Sequence, residues 1–413
     1  MGLYFKDDKP FIEGQNILEL TSKVPTPFYI YSQKVIQENY NKLKTNLKRE
    51  IFYSVKANSN QSIIKLLDSI GAGIDVVSVE ELKRALEAKV SPGKIIFEGV
   101  GKSEKDIEFA ITKNIRQINV ESIEELNLIE EISKKLNNTT SIGIRINPDI
   151  DAKSLDKIST GRKTDKFGIS FKELSNVCNI IKKSEKIKFK GLSCHIGSQI
   201  FELITFEKFF LKMKDAVNIF KEHNLNIEHL DLGGGFGVSY SSDDKELDFS
   251  KLALLVKKIF PDPGFEISFE PGRYLVATSG FLVTKILINK NNSDNNFLIT
   301  DAGMQTFLRT AIYNSFHKII SLKKEPEEIK YNIAGPICES SDILGKDILL
   351  PKQYRNDFLL ICDVGAYGSV MASNYNSKCL PAEILIFENK YKIIRESQTL
   401  ESIINKDNIA EWL

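Results

Sequence analysis

Eight short apolar runs recur through the middle of the chain, and each reads as a buried strand: "IFYSVK" (51–56), "AGIDVVS" (72–78), "KIIFEG" (94–99), "QINVES" (117–122), "SIGIRIN" (141–147), "FKGLSCHIG" (189–197), "IEHLDLGG" (227–234) and "FEISFEPG" (265–272). Between most of them, apolar positions recur at helical spacing. The clearest such stretches are "SVEELKRALEAK" after the second run and "SIEELNLIEEISKKL" after the fourth; each opens on a serine with a glutamate three residues on, a helix-capping arrangement. Eight strand–helix units across about 220 residues predict an α/β fold of the (β/α)8 barrel type, which typically takes about 250 residues. An open doubly wound sheet reads similarly, but eight units and the lack of an early G-x-G-x-x-G favour the barrel.

After Arg273 the rhythm changes. "YLVATSGFLVTKILINK", "NNFLITDAG", "DFLLICDVGAY" and "AEILIFENKYKII" read as strands separated by turns, with helical periodicity only at 306–320. The pattern predicts a barrel domain at 30–273 and a β-rich domain, a β-barrel or sandwich, built from 1–29 and 274–413. The early run "TPFYIYS" is expected to pack with the β-rich part.

Composition narrows the function classes. A chain of 413 residues exceeds what one ordinary core supports. Its 42% apolar and 27% charged residues are those of a soluble globular protein. A net charge of +1 implies no general affinity for nucleic acid or a membrane surface. The five cysteines, at 178, 194, 338, 362 and 379, are dispersed and odd in number, which predicts neither a zinc site nor a disulfide framework. Free thiols, an N-terminal stretch "MGLYFKDDKP" without an apolar signal core, and the lack of a membrane-spanning run predict a cytoplasmic protein without a metal.

In a barrel, chemistry sits where strands end. Lys56 ends the first predicted strand; Asp75 and Ser78 lie on the second, Arg145 and Asn147 end the fifth, and His195 to Ser198 end the sixth. Gly233, Gly234 and Gly235 follow the seventh, and Glu270 to Arg273 end the eighth. Turn chemistry accounts well for Ser78 and Asn147, and poorly for Lys56, His195 and Glu270. Glycines after strand seven, with Gly272 and Arg273 after strand eight, occupy positions where barrels build phosphate sites. A lysine opposite them suggests a phosphorylated aldehyde, and pyridoxal 5'-phosphate would use every group. Lys56 would hold the aldehyde, partial burial lowering its pKa. Glu270 would keep the pyridine nitrogen protonated, and His195 would stack on the ring. Taken singly, His195 also reads as a hydrogen-bonded core residue, Cys338 as a small buried hydrophobe, Tyr313 as core, and Arg309 as a surface residue of a helix at 306–320.

"YSVKAN", "HIGSQ", "DLGGGFG", "EPGRYLVA", "GPICESSDIL" and "GAYGSVMASNYNS" together resemble the fold-type III pyridoxal-phosphate-dependent amino-acid decarboxylases, in the family's order and over about residues 25 to 400. The resemblance implies decarboxylation of meso-2,6-diaminopimelate to L-lysine with release of CO2. It implies that Lys56 carries the cofactor, with Asp75, His195, Ser198, Gly234, Gly235, Glu270, Gly272, Arg273 and Tyr367 around it. Arg273, Arg309, Tyr313, Glu339 and Tyr367 match substrate-binding positions, and Cys338 matches the proton donor. Because Cys338 and Glu339 of this family reach the other subunit's site, a homodimer with shared active sites is implied. Arginine forks suit the distal carboxylate of diaminopimelate, and Glu339 its distal ammonium. The same signature occurs in relatives acting on D-lysine, D-ornithine or a carboxy-polyamine; catalytically silent regulatory relatives tend to lose the lysine or the thiol, and both Lys56 and Cys338 are present. The chain departs from the family at Leu155-Asp156-Lys157, within a long polar loop at 153–166 with the character of a lid, where His-Pro-Tyr is common. Thr310 and Tyr274 depart as well.

Overall fold

The computed structural model describes residues 2–151, 160–241, 246–292 and 295–413. The departure at 155–157 therefore lies outside the described residues. The chain forms two compact units. One comprises Asn39–Val238 and Lys245–Leu275; the other comprises Met1–Glu38, Ser239–Asp244 and Val276–Leu413.

The first unit is a closed ring of eight parallel strands: β1 (Glu50–Ser54), β2 (Gly73–Val76), β3 (Ile95–Phe97), β4 (Gln117–Val120), β5 (Thr140–Asn147), β6 (Ile187–Ser193), β7 (His229–Asp231) and β8 (Glu266–Phe269). Each pairs with its neighbour in sequence, β8 pairs with β1, and the β4–β5 pairing completes the circle. All eight predicted strands are present, mostly shorter than their apolar runs, because several runs continue into the loops that follow.

Helices follow seven of the strands: α1 (Gln61–Ser69), α2 (Val79–Glu87), α3 (Glu104–Thr112), α4 (Ile123–Lys135), α5 (Leu174–Lys183), α6 (Leu203–Glu222) and α7 (Phe249–Ile259). The eighth strand departs from the expected repeat. It is followed only by the turn Arg273–Val276, after which the chain enters the other unit's sheet at Gly280. The caps read from the sequence form in a shifted arrangement. Ser78 and Ser122 accept the N–H groups of Glu81 and Glu125, while those glutamates accept the N–H of Val77 and of Glu121, one residue before the capping serine. Phe206 of α6 and Phe249 of α7 pack on Phe236, which also meets Phe269 of β8, and Phe210 packs on Phe206, an aromatic cluster between helices and ring.

The second unit is a mixed sheet around β9 (Gly280–Asn292). On one side β9 pairs with β10 (Asn295–Thr300), followed by β12 (Glu328–Ala334) and β13 (Ile343–Pro351). On the other it pairs with the early strand Phe28–Ser32, which leads to β15 (Ala382–Phe387) and β16 (Lys390–Arg395). β14 (Phe358–Cys362) pairs with both β9 and β11 (Ile319–Ser321). Phe28, Ile30, Val283, Leu360 and Ile384 fill its core. The helix expected at 306–320 is reduced to Arg309–Tyr313, since Asn314 turns left-handed (φ 49°) and ends it. β12 and β13 were not foreseen, because Lys, Glu and Asp break their apolar pattern.

Candidate active site

β1 stops at Ser54, and Lys56 lies in the 3-10 turn Val55–Ala57 rather than in the strand. Its side chain is 40% exposed, and Nζ lies 3.9 Å from Asp75 Oδ2. Asp75, on β2, is fully buried. Its Oδ2 accepts the Ser54 hydroxyl at 2.6 Å, and its Oδ1 has no hydrogen-bond partner among the described residues. Burial pushes the Asp75 carboxyl above its usual range, and Lys56 opposes that rise.

The loops after β6, β7 and β8 are stitched together at the same end of the ring. His195, two residues past β6, accepts the Gly234 N–H at Nδ1 (3.3 Å), which leaves the proton of the neutral ring on Nε2. Burial first, then Lys56 and Arg145, hold this imidazole well below its usual pKa, so it is neutral. Gly233 (φ +63°) and Gly235 (φ +78°) adopt conformations that favour glycine. A Cβ on either would lie 2.5 Å from Cys194 O or 2.4 Å from Gly197 O. The Glu270 N–H donates to Gly233 O at 2.7 Å, and Arg273 Nε donates to Ser198 Oγ at 3.2 Å. Gly272 packs against Ser54 and Ala57, bringing the end of β8 beside the Lys56 turn.

Glu270 is buried, and its Oε1 has no hydrogen-bond partner among the described residues. Burial, followed by the negative fields of Asp231, Asp75 and Glu98, raises its carboxyl well above the usual value. A buried acceptor without a donor is costly. A ring N–H brought to Oε1 would satisfy it and restore the ionised form. The residues present therefore fit pyridoxal phosphate: an amine beside a buried acid, a glycine turn, a neutral imidazole and a carboxyl lacking a donor.

Beneath this rim lies a polar layer of which the sequence marked only Arg145. Arg145 Nη1 contacts Glu121 Oε1 (2.5 Å) and Glu98 Oε2 (3.4 Å); Glu98 also accepts from Asn119 and from Ser193 Oγ. Glu121 Oε2 accepts the Gly168 N–H. The available signal was a charged or amide residue within or directly after an apolar run, as in "IIFE" and "QINVE".

In the second unit Arg309 is 6% exposed, so it is not the surface residue that helical spacing allowed. Its guanidinium lies over the rings of Tyr313 (5.7 Å), Tyr240 (5.8 Å) and Tyr367 (6.0 Å). Cys338 and Glu339 are exposed. Ser341 Oγ and Tyr375 Oη both donate to the Glu339 carboxylate. Asp342, also missed, shapes their loop by accepting the N–H groups of Met304 (2.6 Å) and Ile337 (2.7 Å).

Residues 33–277 match the family model described as "Pyridoxal-dependent decarboxylase, pyridoxal binding domain". The diaminopimelate decarboxylase of Neisseria meningitidis serogroup A is 40% identical over 395 residues, covering 95% of this chain and 97% of that protein. The chain belongs to the diaminopimelate decarboxylase family. These are carboxy-lyases that use pyridoxal phosphate. The diaminopimelate decarboxylase of Methanocaldococcus jannaschii is 38% identical over 99% of this chain and 97% of its own length. A crystal structure of the enzyme from that organism superposes with a TM-score of 0.95 at 37% identity, covering 100% and 99% of the two chains. The Helicobacter pylori enzyme complexed with L-lysine superposes with a TM-score of 0.91 at 38% identity, covering 95% and 99%. Among the described residues, no helix is long and apolar enough to cross a membrane and no His/Cys/Asp/Glu group has the geometry of a metal site.

Proposed function

We propose that this chain converts meso-2,6-diaminopimelate to L-lysine and CO2, with Lys56 holding pyridoxal phosphate at the mouth of the barrel. The observation that carries this reading is the buried, donorless Oε1 of Glu270, in the same rim as the Lys56 amine and the Gly233–Gly235 turn.

When bound, the cofactor accepts the electron pair left on the α-carbon as CO2 departs. The protein's residues do the rest. Lys56 presents its amine to the aldehyde, with Asp75 beside it. Gly235 would offer its backbone N–H to the phosphate, with Gly234, whose N–H donates to His195 Nδ1, shaping the turn, and Ser198, Gly272 and Arg273 flanking it. His195, held neutral, would face the ring without adding charge. Glu270 holds a proton on the ring nitrogen. Arg273 and Arg309 grip the distal carboxylate of the substrate, Tyr313 and Tyr367 line its path, and Glu339 pairs with its distal ammonium. Cys338 Sγ delivers a proton to the α-carbon.

The exposure of Cys338 and Glu339 on their own chain supports a homodimer in which each subunit completes its partner's site. The relative solved with L-lysine supports the substrate class. Five free thiols support a cytoplasmic location. The test is product identification after incubation with the cofactor and a panel of meso-diaminopimelate, D-lysine, D-ornithine and a carboxy-polyamine. The reading requires L-lysine and CO2 in equal amounts from diaminopimelate and far slower release from the others. Preferential turnover of a substrate lacking the distal carboxylate would move the assignment to a related decarboxylase, and no turnover at all would favour a silent relative.

A further inference from the structure

The ring contains a buried hydrogen-bond chain not used in the mechanism above. His229 on β7 lies 2.7 Å through Nε2 from Ser268 Oγ on β8, and the Ser268 hydroxyl donates to Asp231 Oδ2. The other carboxylate oxygen of Asp231 accepts the Gly233 N–H at 2.7 Å. Ser268 and Asp231 are 0% exposed and His229 4%. Register places Asp231 opposite Ser193 on β6 and Ser268 on β8, so this acid sits where three strands meet.

Gly233 is therefore held from both sides: Asp231 takes its N–H, and its carbonyl takes the N–H of Glu270. Gly233 is also in the left-handed region, where a free glycine samples both signs of φ. The next peptide N–H, of Gly234, is already directed at His195, so a rotation at Gly233 would move that amide and the Gly235 amide beyond it.

We infer that Asp231 is a positioning residue that fixes the Gly233 peptide and so keeps the Gly234 amide on His195 and pre-aims the Gly235 amide at the cofactor's phosphate. This rests on the cofactor reading above. The acceptor at Gly233 matters here, not the negative charge. In Asp231→Asn the amide oxygen keeps the Gly233 bond. Its NH2 donates to Ser268, Ser268 turns to donate to His229, and His229 moves its proton to Nδ1, an atom with no hydrogen-bond partner among the described residues. Asp231→Ala removes the acceptor.

The experiment compares the affinities of cofactor-free protein for pyridoxal 5'-phosphate and for pyridoxal, which lacks the phosphate, by absorbance and fluorescence titration. Circular dichroism monitors folding, and Asp231→Leu stands in should the alanine variant not fold. Losing one buried backbone hydrogen bond predicts a fall of about ten-fold or more in the preference for the phosphorylated form in Asp231→Ala or Asp231→Leu. Asp231→Asn should stay within about three-fold of the parent, since its acceptor is kept. Equal weakening of both ligands would make Asp231 merely structural, and an unchanged preference in the alanine or leucine variant would also overturn the inference. An asparagine variant as poor as alanine would mean that charge, not the acceptor, is what matters. Failure of the parent to bind pyridoxal phosphate at all would instead strike the functional reading itself.

Discussion

Replacing Arg145 by methionine isolates the polar layer under the active-site rim. Arg145 is 7% exposed, and its Nη1 lies 2.5 Å from Glu121 Oε1 and 3.4 Å from Glu98 Oε2, two carboxylates buried more deeply still. Methionine keeps most of the packing but leaves both acids without their cation. Breaking a buried ion pair from one side costs about 3–5 kcal/mol. In a unit of this size each kcal/mol moves the melting temperature about 2–4 °C, so a drop of about 6–20 °C is expected. The pH dependence follows from the same contacts. Burial already raises the Glu121 carboxyl, and Arg145 is the main influence holding it down. Without Arg145 the folded variant keeps protons that the unfolded chain releases above the ordinary carboxylate range. Its stability therefore falls as pH rises through that range and beyond, and the gap to the parent widens from about pH 5 to pH 8. Thermal unfolding followed by circular dichroism at both pH values measures this. A gap below about 2 °C, or one that shrinks as pH rises, would refute a paired-charge role for Arg145.

Other substitutions test separate parts of the account. Cys338→Ala should lose nearly all turnover while binding the cofactor with parental absorbance; full activity would remove Cys338 as proton donor. Arg309→Ala should lower kcat/KM for diaminopimelate by about 10- to 100-fold through lost charged hydrogen bonds, read by steady-state kinetics. The cofactor-free parent should lose stability as pH rises from about 4 through 7, because burial lifts Asp231 from an ordinary 3.8 to about 7 and the folded state holds that proton longer. Relative to the parent, Asp231→Asn should gain up to about 4 kcal/mol across that window, measured by chemical unfolding.

The eight strands of the ring were legible because each is an apolar run bounded by polar turns, and most are followed by a helical period. The gathering of Lys56, His195 and Glu270 at one end of the ring was legible for a related reason: they stand directly after apolar runs, where no packing argument asks for them. Direction was not legible. Strands covered on both faces show no clean alternation, so nothing marked Glu98, Asn119, Glu121 and Asp231 as facing a shared interior. The short helix at Arg309 was overestimated because its apolar spacing continues past Asn314, whose left-handed turn stops it. β12 and β13 were hidden by charged residues such as Lys330, Lys346 and Asp347, which face solvent along edge-side strands. Carrier, stacking and substrate roles rest on motif resemblance, since a lysine, a histidine or an arginine alone does not name its ligand.

The central claim is that the Lys56 amine carries the cofactor, and covalent trapping measures this most directly. Protein loaded with pyridoxal phosphate is reduced with borohydride, digested, and the modified peptide located by mass spectrometry. The account predicts one pyridoxyl group on the peptide containing Lys56 and none in Lys56→Ala. A stoichiometric label on another lysine, or no label in protein that turns over diaminopimelate, would contradict it.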